Sequence, residues 1–305
     1  MTLTQLTYIA ALDTERHFGR AAQRCHISQP TLSTQIRKLE EELGVNIFDR
    51  TYTPVRPTPI GRQILVRART VLEARDAIPA FLSEASGRVE GELRLGVIPT
   101  LAAYLLPLVT RPLLDAHPGI ELSVHELTTE HILDFLASDR LDAGLVATDE
   151  SSSGMRTTGV FREPFVAYVG PDHRFVAGSE INPTELSIDE IWLLSEGHCF
   201  RDQVFQVCEQ DVRASANRTI RFESGSLETL CHLVDRVGGM TLLPYLATLY
   251  MDDAAAQRIR TFESPAPFRD VRMISRQGAL RRALVDAATD VIAGVTHPLI
   301  MYDQP

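Results

Sequence analysis

Two cysteines nine positions apart, Cys199 and Cys208 in the run EGHCFRDQVFQVC, are the most chemically loaded feature of this 305-residue chain. Gly197 and His198 precede Cys199 and an amphipathic stretch follows it, which places the thiol near a helix N-terminus with Arg201 one turn away. Helix N-termini, Arg and protonated His all favour the thiolate. A thiolate is what attacks a peroxide, and the resulting sulfenic acid condenses with a second thiol. Asp202 opposes this charge unless it pairs with Arg201 or orients His198. On one helix, nine residues span about 2.5 turns and about 13 Å of axis, whereas a disulfide needs Cα atoms within about 7 Å. A bridge between cysteines on one helix therefore requires that helix to unwind, which makes the pair a candidate two-state switch. The competing reading is two small buried hydrophobes. Cys25 and Cys231, the latter on an apolar face with Leu227, Leu230 and Val234, read as core.

No Cys-x-x-Cys and no His pair at zinc-finger spacing accompany them, so neither metal nor cofactor is expected. A composition of 44% hydrophobic, 23% charged and 7% aromatic residues excludes disorder and low complexity. No uninterrupted apolar run reaches the roughly 18 residues of a membrane span, and MTLTQLTYIAALDTERHF lacks the basic leader of a secretion signal. A cytoplasmic location away from membranes is expected, where thiols stay reduced. The net charge of −10 is uneven: residues 1–90 hold 12 basic against 10 acidic residues, the remainder 18 against 30. A mildly basic head on an acidic body suits a nucleic-acid-binding module joined to a domain with another task.

In the head, Leu3, Leu6, Ile9 and Ala10 recur at helical spacing, and Phe18, Ala21, Ala22 and Cys25 mark a second short helix. A third begins in SQPTLSTQIRKLEEELG, with Ser28 as N-cap, Pro30 in the first turn and Leu32, Ile36, Leu39 and Leu43 as the buried stripe. The short link through His26 and Ile27 makes a helix-turn-helix. Gln29, Thr31, Ser33, Thr34, Gln35, Arg37 and Lys38 point largely outward; with Ser28 and Pro30 they form the expected DNA-binding face. Gln pairs with adenine, Thr meets the thymine methyl, and Arg or Lys reaches guanine or phosphate; a solvated polar surface is the bland reading of any one of them. NIFDRTYTPVRPTPIGR reads as a hairpin wing bringing Arg50 and Arg56 to phosphate. Thr58 caps a further helix with Pro59 at its first position. Along that helix Ile64, Val71 and Ile78, beside Ile60, Ala68 and Leu82, form a short dimerisation seam, with Pro79 expected to kink or end it near residue 78.

Beyond a hinge at Gly87 and Gly91, Leu93, Leu95, Val97 and Ile98 form a strand. Helix-like residues 101–114, strand-like 120–126, helix-like 130–136 and strand-like 143–147 then alternate, which implies a parallel sheet wrapped by helices. The chain passes FREPFVAYVGP, runs through a second alternating region to about residue 267, and returns with VRMIS and a last helix over residues 281–293. A lobe, an inserted lobe and a return make a two-lobed ligand-binding architecture with its cleft at the carboxyl ends of strands. Thr100, at the end of the first strand, and Thr129, at the start of the second helix, face that cleft. The apolar run EIWLL, holding the single tryptophan Trp192, reads as a strand leading to Cys199. The expected domains are a winged helix-turn-helix over residues 1–58, a linker and dimerisation helix with hinge over 59–90, and a regulatory domain over 91–305. Its first lobe covers about 91–164 and 268–305, its second about 165–267.

The segment SQPTLSTQIRKLEEELGVNIFDR resembles the DNA-binding head of LysR-type transcription regulators, and LETLCHLVDRVGGMTLLP resembles their effector domain, so the resemblance spans essentially the whole chain. GVIPTLAAYLLP and EGHCFRDQVFQVC are similar to the peroxide-sensing members of that family. The resemblance implies an N-terminal all-α winged helix-turn-helix followed by an α/β two-lobed periplasmic-binding-protein-like regulatory domain. It also implies that Cys199 is the peroxidatic thiol and Cys208 the resolving thiol of an intramolecular disulfide, that Thr100, Thr129 and His198 hold hydrogen peroxide, and that Arg201 and Asp202 support them. The implied partners are a double-stranded DNA operator, further copies of the chain in a tetramer built as a dimer of dimers, a cellular dithiol reductant and, for an activator, RNA polymerase. Two other classes remain open: a regulator of this family that answers a small metabolite, and a thiol-dependent peroxidase or disulfide exchanger. An enzyme is not expected, because the DNA-binding head is useless to one and Cys-x-x-Cys is absent.

Overall fold

The computed structural model describes residues 1–85, 89–148, 154–208, 225–278 and 281–301, in two compact units, Met1–Gly87 and Arg88–Pro305. In the first unit, Thr2 and Gln5 form a reciprocal capping box that starts α1, Leu3–Glu15. His17 caps α2, Phe18–Arg24, through its ring nitrogen. Ser28 accepts from the Thr31 N–H to start α3, Gln29–Leu43, and Gly44 ends it in the left-handed conformation at φ 68°. Leu6, Ile9, Leu12, Leu32, Ile36 and Leu39 close a core that also takes in Ile47 and Leu65. The wing is a minimal hairpin, β1 (Phe48–Asp49) paired antiparallel with β2 (Arg56–Pro57).

One carboxylate joins the third helix to that wing. Glu40, 6% exposed, accepts from the N–H groups of Ile47 at 2.8 Å and Phe48 at 3.1 Å and from the Arg50 guanidinium at 2.7 Å. Next to this knot Thr58 caps α4, Pro59–Ala85, by accepting from the Gly61 N–H at 2.9 Å. A Cβ on Gly61 would lie 1.9 Å from the Ile47 carbonyl oxygen, so the approach of helix to wing admits only glycine.

Pro79 does not end α4, which runs on to Ala85. Its φ suits a helix, and the bond it cannot donate is one among those of 27 residues. The expected seam is divided as well. Ala68 is buried against the head and Ile64 packs there too, while Ile60, Val71 and Ile78 stand exposed, Ile78 at 65%; the Leu82 side chain lies outside the described residues.

The second unit alternates β3 (Glu90–Val97), α5 (Pro99–Ala116), β4 (Gly119–Glu126), α6 (Thr129–Ala137) and β5 (Ala143–Val146) before the long β6 (Met155–Val169). There follow β7 (Glu180–Ile181), α7 (Cys199–Val207), α8 (Leu227–Val237), β8 (Met240–Pro244), α9 (Asp253–Ala256), β9 (Ile259–Phe262), β10 (Phe268–Arg276) and α10 (Arg282–Met301). The strand order is β4-β3-β5-β10-β6-β9-β7, with β8 also on β6. Among the described residues the parallel strand pairs are β3 with β4, β3 with β5 and β7 with β9, so the sheet is mixed rather than wholly parallel. The cause is β6, too long for one lobe: residues 155–164 pair antiparallel with β10, and residues 165–169 with β8. Two lobes thus share a crossover at Pro164 and Phe268. One contiguous apolar core runs through this unit, and into it α10 buries Leu284, Val285, Ala288 and Ile292. By length and apolar composition α10 could cross a membrane, but that buried stripe is the mark of a core helix.

EIWLL is not a strand. A 3-10 turn at Ile188–Glu190 leads to a single bridge between Ile191 and Met240, and Trp192 donates its indole N–H to the Gly238 carbonyl at 2.8 Å. The Trp192 N–H bond to the Met240 carbonyl is that bridge's own hydrogen bond.

Glu40→Ala leaves the Ile47 and Phe48 N–H groups without an acceptor and is expected to destabilise the first unit by about 2 kcal/mol, with the second unit unaffected. Denaturant-dependent amide exchange resolved by unit checks this; equal loss in both units contradicts it.

Candidate redox site and DNA-facing surface

Cys199 is the first residue of α7 and His198 its N-cap, entered through Gly197 at φ 92°. Cys208 is the C-cap, its N–H on the Val204 carbonyl at 3.1 Å. The cysteines therefore bracket one helix, about 13 Å apart along its axis at 1.5 Å per residue, and both are free thiols. Phe200, Val204 and Phe205 bury the inner side of α7, and the Phe200 ring meets Phe165 of β6 at 5.3 Å. Cys208 faces the same core, where burial pushes its thiol up to about 11.

Of the thiolate-favouring surroundings expected at Cys199, the helix N-terminus is present, and burial outweighs it. Burial raises its pKa above the ordinary value, against the lowering influence of the Arg269 guanidinium, the Thr129 hydroxyl and the Phe200 N–H; Asp202 adds to the rise. The sequence gives no measure of that burial, so the expected depression is corrected to a net elevation. Arg201 turns from Asp202 to Glu196 at 3.5 Å and lies over the Phe205 ring. His198 is half-buried, its Nε2 beside Gly225, where a Cβ would come within 3.5 Å.

Arg269, which sequence reasoning missed, is the cation nearest in effect to Cys199. Its side chain is 1% exposed and pairs at 2.8 Å with the fully buried Glu163. It donates to the Thr100 hydroxyl and carbonyl at 3.0 Å each, and Glu163 accepts in turn from the Leu246 N–H at 2.8 Å. This knot sits at the crossover of β6 and β10 and ties the two lobes together. Thr100 lies in the first turn of α5, not at the end of β3, and Thr129 is the first residue of α6. The signal for Arg269 was available in its alternation: in FRDVRMIS it shares inward parity with Val271 and Met273.

Cys231 sits on α8 among Asp235 and Glu228, and burial with those carboxylates raises its thiol to about 12. The Cys25 thiol is also raised by burial. Both are poor nucleophiles in these settings.

On the head, Gln29, Pro30, Thr31, Thr34, Arg37 and Lys38 are exposed along α3. Ser28 is exposed but engaged with Thr31, hydroxyl to hydroxyl at 2.7 Å. Ser33 and Gln35 are half-buried, and Gln35 accepts from Gln5 at 3.4 Å, so it turns inward. Arg50 is held by Glu40 and stacks over Phe18, which makes it a structural cation first; Arg56 is exposed above the Tyr52 ring.

Residues 3–62 match the bacterial regulatory helix-turn-helix protein, lysR family, and residues 86–296 match the LysR substrate binding domain. The hydrogen peroxide-inducible genes activator of Dickeya chrysanthemi is 36% identical over 298 residues, 96% of this chain and 95% of that one. The DNA-binding transcriptional dual regulator OxyR of Escherichia coli (strain K12) is 34% identical over 292 residues, 96% and 95% of the two chains. Among solved structures, a full-length OxyR variant from Pseudomonas aeruginosa superposes with a TM-score of 0.81 at 37% identity, covering 96% of this chain and 98% of that one. A Corynebacterium glutamicum OxyR mutant with hydrogen peroxide bound gives 0.63 at 28% identity over 98% and 94%. With a winged helix-turn-helix ahead of a two-lobed domain and matches to both halves, the chain belongs to the LysR family of DNA-binding transcription regulators and closely resembles OxyR.

Proposed function

We propose that this regulator senses hydrogen peroxide through Cys199 and Cys208 and passes the signal to operator DNA bound by its head. The observation that carries the reading is the placement of the two thiols at opposite ends of one nine-residue helix, with the first beside Thr129 and Arg269. Its support from comparison is the likeness to hydrogen peroxide-inducible activators over nearly the whole chain.

The chemistry runs in two balanced steps. The Cys199 thiolate attacks one peroxide oxygen; the S–O bond forms as the O–O bond breaks, and the departing hydroxide takes up the proton the thiol gave up, leaving sulfenic acid and water. The Cys208 thiolate then attacks that sulfur, forming the disulfide and releasing a second water. A dithiol reductant reverses the cycle. Burial holds Cys208 at about 11, so unwinding α7 both closes the distance and frees a nucleophile. Thr100, Thr129 and His198 hold the peroxide, with Arg201 and Asp202 in support; Arg269 supplies the field that offsets burial when the thiolate forms. The exposed donors Gln29, Thr34, Arg37 and Lys38 read DNA, with Ser28, Pro30, Thr31 and the wing residues Arg50 and Arg56 framing them. Copies pair along the exposed Ile60, Val71 and Ile78 stripe and assemble into a cytoplasmic tetramer, which in an activator meets RNA polymerase. We read the head as residues 1–58, the linker as 59–90 and the regulatory lobes as 91–305.

Cys199→Ser is expected to abolish the peroxide-dependent change in the DNA footprint while leaving basal binding intact. Cys208→Ser is expected to accumulate singly or multiply oxygenated Cys199 by mass spectrometry, with no bridge to Cys25 or Cys231. A footprint that still responds in Cys199→Ser, or a bridge to either other cysteine, contradicts the assignment.

The raised pKa sets the pH dependence. Below pH 9.0, the ordinary thiol value, the thiolate fraction of Cys199 grows about tenfold per pH unit, so its oxidation should accelerate to the same degree. Replacing Arg269→Met with Glu163→Gln, so that no lone charge is left buried, should slow oxidation at every pH and displace the profile upward. An unchanged profile in stopped-flow oxidation contradicts a role for Arg269 at the thiol.

A further inference from the structure

Arginines from three separate elements converge on one open hollow of about 320 Å³ at the root of the wing: Arg16, Arg56 and Arg62, with Pro54, Val55 and Pro57 as its wall. Arg16 closes α1 in the left-handed conformation at φ 51°, where glycine or asparagine is the residue of least cost. Its carbonyl accepts from the Val55 N–H at 3.2 Å, which ties that helix end to the wing. Its guanidinium meets Asp13 at 2.9 Å, but Asp13 also holds Arg69 at 2.5 Å, so one carboxylate serves two cations. Arg56 is exposed above the Tyr52 ring. Arg62, exposed in the first turn of α4, reaches the neutral Pro57 carbonyl at 3.4 Å. No acidic side chain lines the hollow among the described residues, and its prolines bring no N–H, so the side-chain donors a guest meets there are guanidinium groups. Three like charges around one hollow repel until an anion joins them.

We propose that this hollow is a phosphate clamp, in which Arg16, Arg56 and Arg62 together hold one backbone phosphodiester of the bound duplex. This rests on the reading of the head as the DNA-binding module, and it adds Arg16 and Arg62 to the residues that touch DNA. In a helix-turn-helix the second helix enters the major groove while the first crosses the backbone. The first is α2 here, and Arg16 with the cap His17 stands immediately before it. The hollow thus lies where a strand of the duplex passes, and the planar fork of arginine matches paired phosphate oxygens. Because α1, β2 and α4 give one arginine each, a single phosphate fixes the wing and the start of α4 in one register on the duplex. Such a contact positions the head and carries no base information.

The test measures binding of the full-length protein to two duplexes, one of random sequence and one selected by the wild type from a random pool, across a series of KCl concentrations. Arg16→Gln and Arg62→Gln should each weaken both duplexes alike, about fivefold at fixed salt, the effect of one exposed charge pair. Arg16→Gln leaves Asp13 to Arg69, so the head keeps that ion pair. Log affinity falls with log salt at a slope of about 0.9 per phosphate neutralised. Each single variant should flatten that slope, and the double variant should lose no more than one such unit, because the two arginines share one phosphate; Arg62→Lys should keep it. Unchanged slopes in both single variants overturn the proposal. So does a double variant that loses about two units, the sign of independent surface charges, and so does weakening confined to the selected duplex, the sign of a base contact. Calorimetric titration with inorganic phosphate in the absence of DNA should show no saturable binding; saturable binding abolished by Arg62→Gln gives the hollow to a free anion and overturns the duplex as its occupant. A wild-type chain that binds neither duplex sinks the underlying reading of the head instead, and the wild-type affinity tells the two failures apart.

Discussion

Nine residues of helix hold two thiols apart. Cys199 opens α7 and Cys208 closes it, so the separation is set by the helix rise, about 13 Å, and not by any single contact. A disulfide tolerates about 7 Å between Cα atoms. On the proposed reading, the reduced fold and the bridged fold exclude each other for this segment, and that exclusion would convert a two-electron oxidation into a change of shape. Bistability of this kind needs no long mechanical path at the sensor; it needs a helix that is stable enough to keep the thiols apart and short enough for one covalent bond to undo.

The buried Glu163–Arg269 pair is a fixed point beside the start of that helix. It lies where β6 and β10 pass from one lobe to the other, and through Thr100 and Leu246 it fastens both lobes. A buried pair of this kind gains little net stability over apolar packing. Its place beside Cys199 indicates another use: the guanidinium charge that partly offsets the burial of the thiol. Burial lifts the Cys208 thiol as well, to about 11. Protonation, access and helix integrity are thus coupled in one short stretch of chain.

Much of the local structure was legible in the residues. Ser28 and Gly44 bound the third helix because cap chemistry is local, and Thr58 with Pro59 starts the fourth for the same reason. The cysteine placement followed from one amphipathic period. Long-range facts were not legible. The strand directions depend on β6 serving two lobes, which no local pattern states. The sign of the Cys199 shift depends on burial by residues distant in sequence. Glu40 reads as one of three acidic residues in a row, and only the fold shows that it caps the wing. Trp192 sits in an apolar run whose strand ends after a single bridge, and Pro79 is tolerated in a helix that its type alone would end.

The most direct test of the helix as spacer is hydrogen exchange at the amides of residues 203–208, whose bonds define α7, before and after stoichiometric peroxide, with thiol counting on the same samples. Protection in the reduced protein that is lost in step with the disappearance of two thiols per chain, and restored by dithiothreitol, is the expected result. Protection that persists through α7 while the Cys199–Cys208 bridge forms would contradict the mechanism, because the thiols would then have met without the helix giving way.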